Sequence, residues 1–174
     1  MEKMGSVEFS NKVYELSLEL ALSAGAGGSH IGGSLSCVEI LSVLYNDILR
    51  FDVKNPLWED RDRVLVSKAH CILSHFSTLC LSGFFPKSEL HSFRINDGLL
   101  CGHPYNPSIG LEFSGGSLGM GVSIGVGMAL LAKKKKKAYR VYVLLGDGET
   151  NEGSVCCCSQ LSQSDYLTQI EKLT

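Results

Sequence analysis

The sequence has little of what marks secreted, membrane-spanning or disulfide-stabilised proteins. No secretory signal opens the chain, and its seven cysteines, an odd number, include no C-x-x-C pair. We therefore expect neither a disulfide framework nor a zinc site. We do expect a reducing, cytoplasmic setting. The apolar stretch at residues 117–132 is shorter than the ~20 residues of a membrane span and is rich in glycine. We therefore expect it to be buried inside the protein rather than in a membrane.

A strong charge of either sign is also missing. The formal net charge is -2, and the single basic run, at residues 133–137, has no aromatic stacking residues within it. We therefore expect no nucleic-acid partner and interpret the run as a solvated loop. The 174 residues are 44% hydrophobic and 20% charged. These values predict one compact globular domain with a sizeable core.

The most informative stretch is an apolar run at residues 141–145 that ends in an acidic, glycine-flanked loop. Such a run is typical of a strand that is covered on both faces, as in a parallel α/β sheet. Ligands collect at the carboxyl ends of these strands. There Asp147 lies between Gly146 and Gly148, where a hydrated Mg²⁺ carrying a diphosphate would fit. An ordinary polar turn is the alternative, because glycine and aspartate are common turn residues.

The rest of the chain alternates helical and strand patterns. Apolar residues at positions 9, 13, 16 and 20 predict an amphipathic helix that ends in the glycine-rich residues 25–28. Ser36 and Glu39 have the spacing of a capping box and predict a second helix that runs to about Leu49. Further elements predicted in chain order are a strand at 64–66, a helix at 72–81, a short helix after Pro86, and a loop at 98–110.

The segment at residues 113–127 is rich in glycine and leads into a predicted helix that ends near Ala132. Glycine lets a backbone approach a ligand closely, and a helix N-terminus presents free N–H groups to an anion or a polar cofactor. The segment lacks the third glycine of the dinucleotide-binding pattern and the Gly-Lys-Ser/Thr of a P-loop. Tight packing of the helix is the alternative explanation for the glycines.

Five separated motifs occur in an order that resembles the N-terminal part of transketolase. They are His-Ile-Gly-Gly-Ser at 30–34, Ser-Lys-Ala-His at 67–70, Gly-His-Pro at 102–104, Gly-Gly-Ser-Leu-Gly at 115–119, and Gly-Asp-Gly-x-x-x-Glu-Gly at 146–153. The resemblance implies an α/β thiamine-diphosphate-binding fold, with a parallel sheet flanked by helices. It extends over roughly residues 8–155, and we therefore expect a partial domain at residues 1–155 followed by a divergent tail at residues 156–174.

The resemblance also assigns site residues, position by position. Asp147 would bind a divalent metal, Mg²⁺ or else Ca²⁺ or Mn²⁺, and Gly148 would bind the diphosphate. The thiamine would be contacted by Gly116, Ser117 and Leu118. The cofactor and substrate channel would be lined by three catalytic histidines, His30, His70 and His103. Of these, His70 would also contact the cofactor. Glu152 corresponds to an acid at the family's dimer interface. His75 and His91 match no motif and are interpreted as structural.

The implied reaction is transfer of a two-carbon ketol unit from a ketose phosphate to an aldose phosphate. The chain departs from the family at Ile31, where proline is common, at Ala69, where glycine is common, and after Val155, where a Trp-Glu-Ala helix is expected. Beyond Val155 only residues 165–170 resemble the family, at the strand that should follow this helix. The family's second metal-ligating asparagine and the domain whose glutamate activates the cofactor have no counterpart in these residues. We therefore expect a homodimer or a complementing C-terminal subunit. A non-catalytic remnant, or another thiamine-diphosphate enzyme of this fold, are the alternatives.

Overall fold

A computed structural model describes residues 4–25, 28–102, 105–113, 115–162 and 170–174. The length of the chain predicts one compact domain, whereas the chain divides into two compact units. The first unit comprises residues 1–49, 70–104 and 108–110, and the second comprises residues 50–69, 105–107 and 111–174. Within the described residues, no helix is both long and apolar enough to cross a membrane.

The first unit is helical. Its α-helices are α1 (Ser6–Ser23), α2 (Ile31–Leu35), α3 (Val38–Val43) and α4 (Ile72–Leu81), and a 3₁₀-helix follows at Lys87–Ser92. The apolar side of α1 packs against α3 and α4, with Phe9 and Val13 buried beside Val38. The helices predicted at residues 9–20 and 72–81 are therefore confirmed, since α1 ends just before the glycine-rich residues and α4 has the predicted bounds.

The capping-box prediction at Ser36 is wrong. Ser36 ends α2, and its hydroxyl donates a hydrogen bond to the carbonyl oxygen of Gly33 at 3.0 Å. The hydroxyl is therefore engaged by the preceding helix, and α3 begins after Cys37 without a side-chain cap. Beyond α3 the chain continues as a π-helix at Leu44–Ile48. Two consecutive helical pieces, α3 and this π-helix, thus occupy the place of the one predicted helix.

The second unit contains a parallel sheet in the order β1 (Arg63–Val66), β2 (Val141–Leu144) and β3 (Ile170–Leu173). Helix α5 (Met120–Lys134) packs on the sheet, and α6 (Gly153–Ser162) packs on α5. All four residues of β2 are buried, as expected for a strand covered on both faces. The α/β prediction of a parallel sheet flanked by helices is confirmed.

Two predictions at the ends of elements differ from the structure or extend past the described residues. Helix α5 includes Lys133 and Lys134, so the basic run is only partly a loop, and Lys137 forms ion pairs with Glu59 and Asp60 at 3.1 and 3.2 Å. The strand predicted near 165–170 falls mostly outside the described residues, and β3 begins at Ile170. The division of the chain at residue 155 stays a prediction.

The buried histidine of α4 makes stability depend on pH. His75 is 4% exposed, and its Nε2 lies 3.4 Å from the hydroxyl of Tyr45. Burial lowers the pKa of His75 from 6.5 to about 4. The folded state therefore keeps the ring neutral while the unfolded chain takes up a proton below about pH 6.5, so stability falls as the pH drops through this window.

We expect this group to remove roughly 3 kcal/mol of stability between about pH 7 and pH 4. Urea unfolding of the wild type and of His75→Gln over that range measures the effect. Glutamine keeps a hydrogen-bonding group beside Tyr45 but does not titrate, so its free energy of unfolding should fall less steeply with acid. Parallel pH profiles for the two proteins would contradict the assignment.

Candidate functional site

The carboxyl ends of β1 and β2 lie side by side in the second unit. Val66 pairs with Leu144 at the last position of the register, and the N–H of Ser67 donates to the carbonyl oxygen of Leu144 at 2.9 Å. The chain leaves β2 through Leu145 and Gly146 to reach Asp147. Because the strands are parallel, the loops that follow both strands start from this one edge of the sheet.

Asp147 occupies an exposed position at the start of the 3₁₀-helix Gly148–Asn151. Its carbonyl oxygen accepts a hydrogen bond from the hydroxyl of Thr150 at 2.5 Å, which fixes the backbone of this turn. Among the described residues, no hydrogen bond or ion pair engages its carboxylate. A carboxylate that is held on an ordered backbone and left unpaired fits a hydrated Mg²⁺, which needs one or two carboxylates and takes phosphate oxygens as further ligands.

The side chains of the described residues have a limited capacity to bind a metal ion. Within the described parts of the chain, no group of three or more histidine, cysteine or acidic side chains is arranged to hold a metal ion. A cation at Asp147 would therefore draw its other ligands from water, backbone or a bound anion. That pattern is typical of Mg²⁺ held with a phosphate, whereas structural zinc takes four protein ligands.

The glycine-rich turn before α5 lies against the end of β1. A Cβ atom at Gly115 would lie 3.1 Å from the carbonyl oxygen of Ser67, so the start of the turn requires the close approach that glycine permits. Residues 116–118 are exposed. Added Cβ atoms at Gly116 and Gly148 would meet no atom within 4 Å. The backbone at these two positions is thus accessible to a ligand such as a cofactor.

The N-terminus of α5 does not offer all the free N–H groups that the sequence predicts. The N–H of Gly119 donates to Oε1 of Glu149 at 2.7 Å, and the N–H of Gly121 donates to the hydroxyl of Ser67 at 3.1 Å. Because protein acceptors occupy both groups, an anion cannot use them. Cofactor contacts on this side of the second unit would come from the exposed turn at residues 116–118 instead.

Glu149 is the residue of this region whose role sequence analysis missed. Its side chain is buried, and its carboxylate also accepts hydrogen bonds from the hydroxyl of Ser67 and, at 3.1 Å, from the N–H of Gly146. In the sequence it is one of several acids in a polar loop. Its position two residues after Asp147 gave the only signal, and that signal did not distinguish a buried from a solvated side chain.

Two of the three predicted histidines meet in the first unit. The rings of His30 and His70 lie 5.9 Å apart between centroids, with an angle of 72° between their planes. His30 occupies the N-cap position of α2 and is exposed, whereas His70 lies in the 3₁₀-helix Ala69–Cys71 and is half-buried. A Cβ atom at Gly33 would lie 2.5 Å from Cδ2 of His70. The absence of a side chain at Gly33 thus makes room for the His70 ring.

The third predicted catalytic histidine, His103, lies outside the described residues, so its assignment stays a prediction. The two histidines that match no motif are placed differently from each other. His75 is buried in α4, and His91 is exposed in the 3₁₀-helix Lys87–Ser92. The roles assigned to His30, His70, Asp147 and the glycine turn also stay predictions, although their positions are compatible with ligand binding.

Comparison with known proteins supplies the family context. The family model described as "Transketolase, thiamine diphosphate binding domain" matches residues 9–172. One subunit of the apulose-4-phosphate transketolase of Phocaeicola vulgatus is 43% identical over 138 residues, which are 79% of this chain and 48% of that protein. The transketolase of Pongo abelii is 36% identical over 147 residues, which are 84% of this chain and 23% of that protein.

A solved structure agrees in fold. The transketolase from Campylobacter jejuni superposes with a TM-score of 0.86 at 32% sequence identity, covering 96% of this chain and 28% of that one. The chain therefore spans about half the length of the Phocaeicola vulgatus relative and about a quarter of the transketolases. The family match includes α6 and ends within β3, at residue 172.

Proposed function

The chain belongs to the family of transketolase thiamine-diphosphate-binding domains, and from this membership we propose that it binds thiamine diphosphate together with a divalent metal. The observation that carries the proposal is the exposed, unpaired carboxylate of Asp147 between two glycines at the end of β2. The accessible backbone at Gly116 and Gly148 supports it. These features provide a charge for the metal and open backbone for the cofactor within one unit.

Each residue of the second unit has a definite task in this proposal. Asp147 would bind Mg²⁺, with Ca²⁺ or Mn²⁺ as substitutes, because hard cations prefer oxygen ligands. Gly148 would contact the diphosphate through its backbone. Gly116, Ser117 and Leu118 would contact the thiamine, with Leu118 presenting a 42% exposed apolar side chain to its ring.

The proposed reaction is transfer of a two-carbon ketol unit between sugar phosphates. Thiamine diphosphate, when bound, supplies the carbanion chemistry that breaks and forms the carbon–carbon bond, and the protein supplies orientation and electrostatics. His30, His70 and His103 would orient sugar hydroxyls and transfer their protons, since imidazole exchanges protons near neutral pH. The paired rings of His30 and His70 provide two such groups in one place.

The proposed activity requires a second chain. The Phocaeicola vulgatus relative is itself named as one subunit of a transketolase. By analogy, this chain would act with a complementing C-terminal subunit, or as a homodimer in which Glu152 lies at the interface, and its setting would be cytoplasmic. The substrates would be sugar phosphates, which carry the anionic groups typical of the family.

Thermal unfolding tests the cofactor proposal. Thiamine diphosphate with Mg²⁺, at about 100 times its dissociation constant, should raise the unfolding midpoint by roughly 5 °C or more. Thiamine without the diphosphate is the matched control, because it lacks the oxygens that would bind the metal. An unchanged midpoint with thiamine diphosphate at millimolar concentration, with and without Mg²⁺, would overturn the proposal.

A further inference from the structure

A single buried carboxylate connects the elements that surround the exposed turn. Glu149 is 3% exposed, and its two oxygens accept hydrogen bonds from three donors. Oε1 accepts from the hydroxyl of Ser67 and from the N–H of Gly119, and Oε2 accepts from the N–H of Gly146. One side chain thus ties together the end of β1, the end of β2 and the start of α5.

Ser67 extends this network by one further bond. Its hydroxyl donates to Glu149 and accepts the N–H of Gly121 at 3.1 Å, and the serine is 1% exposed. A Cβ atom at Gly121 would lie 2.5 Å from the Cβ of Ser67. The absence of a side chain at position 121 therefore lets the first turn of α5 approach the end of β1. This close approach allows the N–H of Gly121 to bond to Ser67 and the N–H of Gly119 to bond to Glu149.

The same carboxylate, that of Glu149, binds backbone next to both predicted ligand contacts, Asp147 and the turn at residues 116–118. Asp147 lies one residue after Gly146, whose N–H is bound by Glu149, and the turn at residues 116–118 ends at Gly119, whose N–H is bound by the same carboxylate. Bonds to Glu149 therefore constrain the position of the turn relative to Asp147, together with the bond that the hydroxyl of Ser154 donates to the carbonyl oxygen of Gly119 at 3.2 Å. A hydrogen bond to a buried carboxylate is stronger than one between neutral groups and costs more when broken.

We propose that Glu149 is a positioning residue that holds the turn at residues 116–118 in register with Asp147, so that both can contact one ligand. The part of this inference that concerns the ligand rests on the proposed function. The part that concerns the turn does not, because it follows from the hydrogen bonds alone. Glu149 itself is buried and would touch neither metal nor cofactor.

Amide hydrogen exchange on the full chain without cofactor tests the structural part. In Glu149→Gln the side chain keeps its shape but has one acceptor oxygen in place of two, so Gly119 or Gly146 loses its acceptor. Protection of at least one of these amides should fall about tenfold or more. The same change at the exposed Glu39 is the matched control and should leave both amides protected.

Ser67→Ala provides an independent test should Glu149→Gln not fold. Removal of the hydroxyl takes the acceptor from Gly121 but leaves the bond between Glu149 and Gly146 in place. Exchange should therefore rise by about tenfold or more at Gly121 and stay unchanged at Gly146. Wild-type protection of Gly119 and Gly146 in a folded Glu149→Gln variant, or of Gly121 in Ser67→Ala, would overturn the inference.

Calorimetric titration with thiamine diphosphate and Mg²⁺ tests the ligand part. Glu149→Gln should bind at least about tenfold more weakly than wild type, as is typical when a group that orients ligand-binding residues is changed. Equal affinities, even with a lowered unfolding midpoint, would reduce Glu149 to a structural residue and overturn its positioning role. Absence of binding by the wild type would instead refute the proposed function, and hydrogen exchange would still decide whether Glu149 holds the turn.

Discussion

Replacing Asp147 with alanine is expected to abolish Mg²⁺-dependent binding of thiamine diphosphate while leaving the fold intact. The side chain is exposed and makes no hydrogen bond or ion pair within the described residues, so its loss should change the free energy of unfolding by no more than about 0.5 kcal/mol. Because Asp147 is proposed to be the protein's charged metal ligand, its removal should weaken cofactor binding strongly. We expect affinity to fall by at least about 100-fold.

Calorimetry and urea unfolding of the same preparations measure the two quantities. Glu15→Ala is the control, because it removes an exposed acid from α1 in the first unit and should leave both values unchanged. Adding EDTA to the wild type should reproduce the effect of Asp147→Ala on binding. Equal affinity of wild type and Asp147→Ala in the presence of Mg²⁺ would show that the metal, if used, is bound elsewhere.

The second large effect is that this chain alone is expected not to transfer a two-carbon unit between sugar phosphates. Its residues correspond to 48% of the Phocaeicola vulgatus relative and 23% of a transketolase, so much of the matched proteins has no counterpart in these 174 residues. Within the described residues, the proposed metal site at Asp147 includes no group of three or more histidine, cysteine or acidic side chains that could hold a metal ion. Groups that act as a unit lose nearly all catalysis when part of the set is missing.

The assay uses xylulose 5-phosphate as donor and ribose 5-phosphate as acceptor, with saturating thiamine diphosphate and Mg²⁺. The chain should show no turnover by itself and should gain turnover when mixed with a separately expressed C-terminal transketolase subunit. The mixture containing Asp147→Ala is the control and should remain inactive. Turnover by the chain alone would contradict this prediction and show that its own residues complete the site.

Local patterns in the sequence were sufficient where a structural element is determined by its own residues. The spacing of apolar residues in α1, the continuous apolar run of β2 and the bounds of α4 all follow from side chains within each element. The capping box failed for the opposite reason. The hydroxyl of Ser36 had a competing acceptor at Gly33 in the helix before it, which spacing alone did not reveal.

The geometry of the candidate site depended on contacts between distant parts of the chain. Glu149 and Ser67 are 82 positions apart, and Glu149 and Gly119 are 30 apart. No local pattern predicts that an acid in a polar loop will be buried by such partners. His30 and His70 are likewise brought together by the packing of α2 against α4 rather than by sequence spacing. Motif order indicated candidate site residues, but not the contacts that hold them in place.

The most direct test of the central claim is calorimetric titration of the wild-type chain with thiamine diphosphate, once with Mg²⁺ and once with EDTA. The account predicts saturable binding with a stoichiometry of about one per chain when Mg²⁺ is present, because the proposal assigns Asp147 and the open backbone at Gly116 and Gly148 to one site. It predicts that EDTA removes this binding. Absence of binding in Mg²⁺, or equal binding in Mg²⁺ and EDTA, would contradict it.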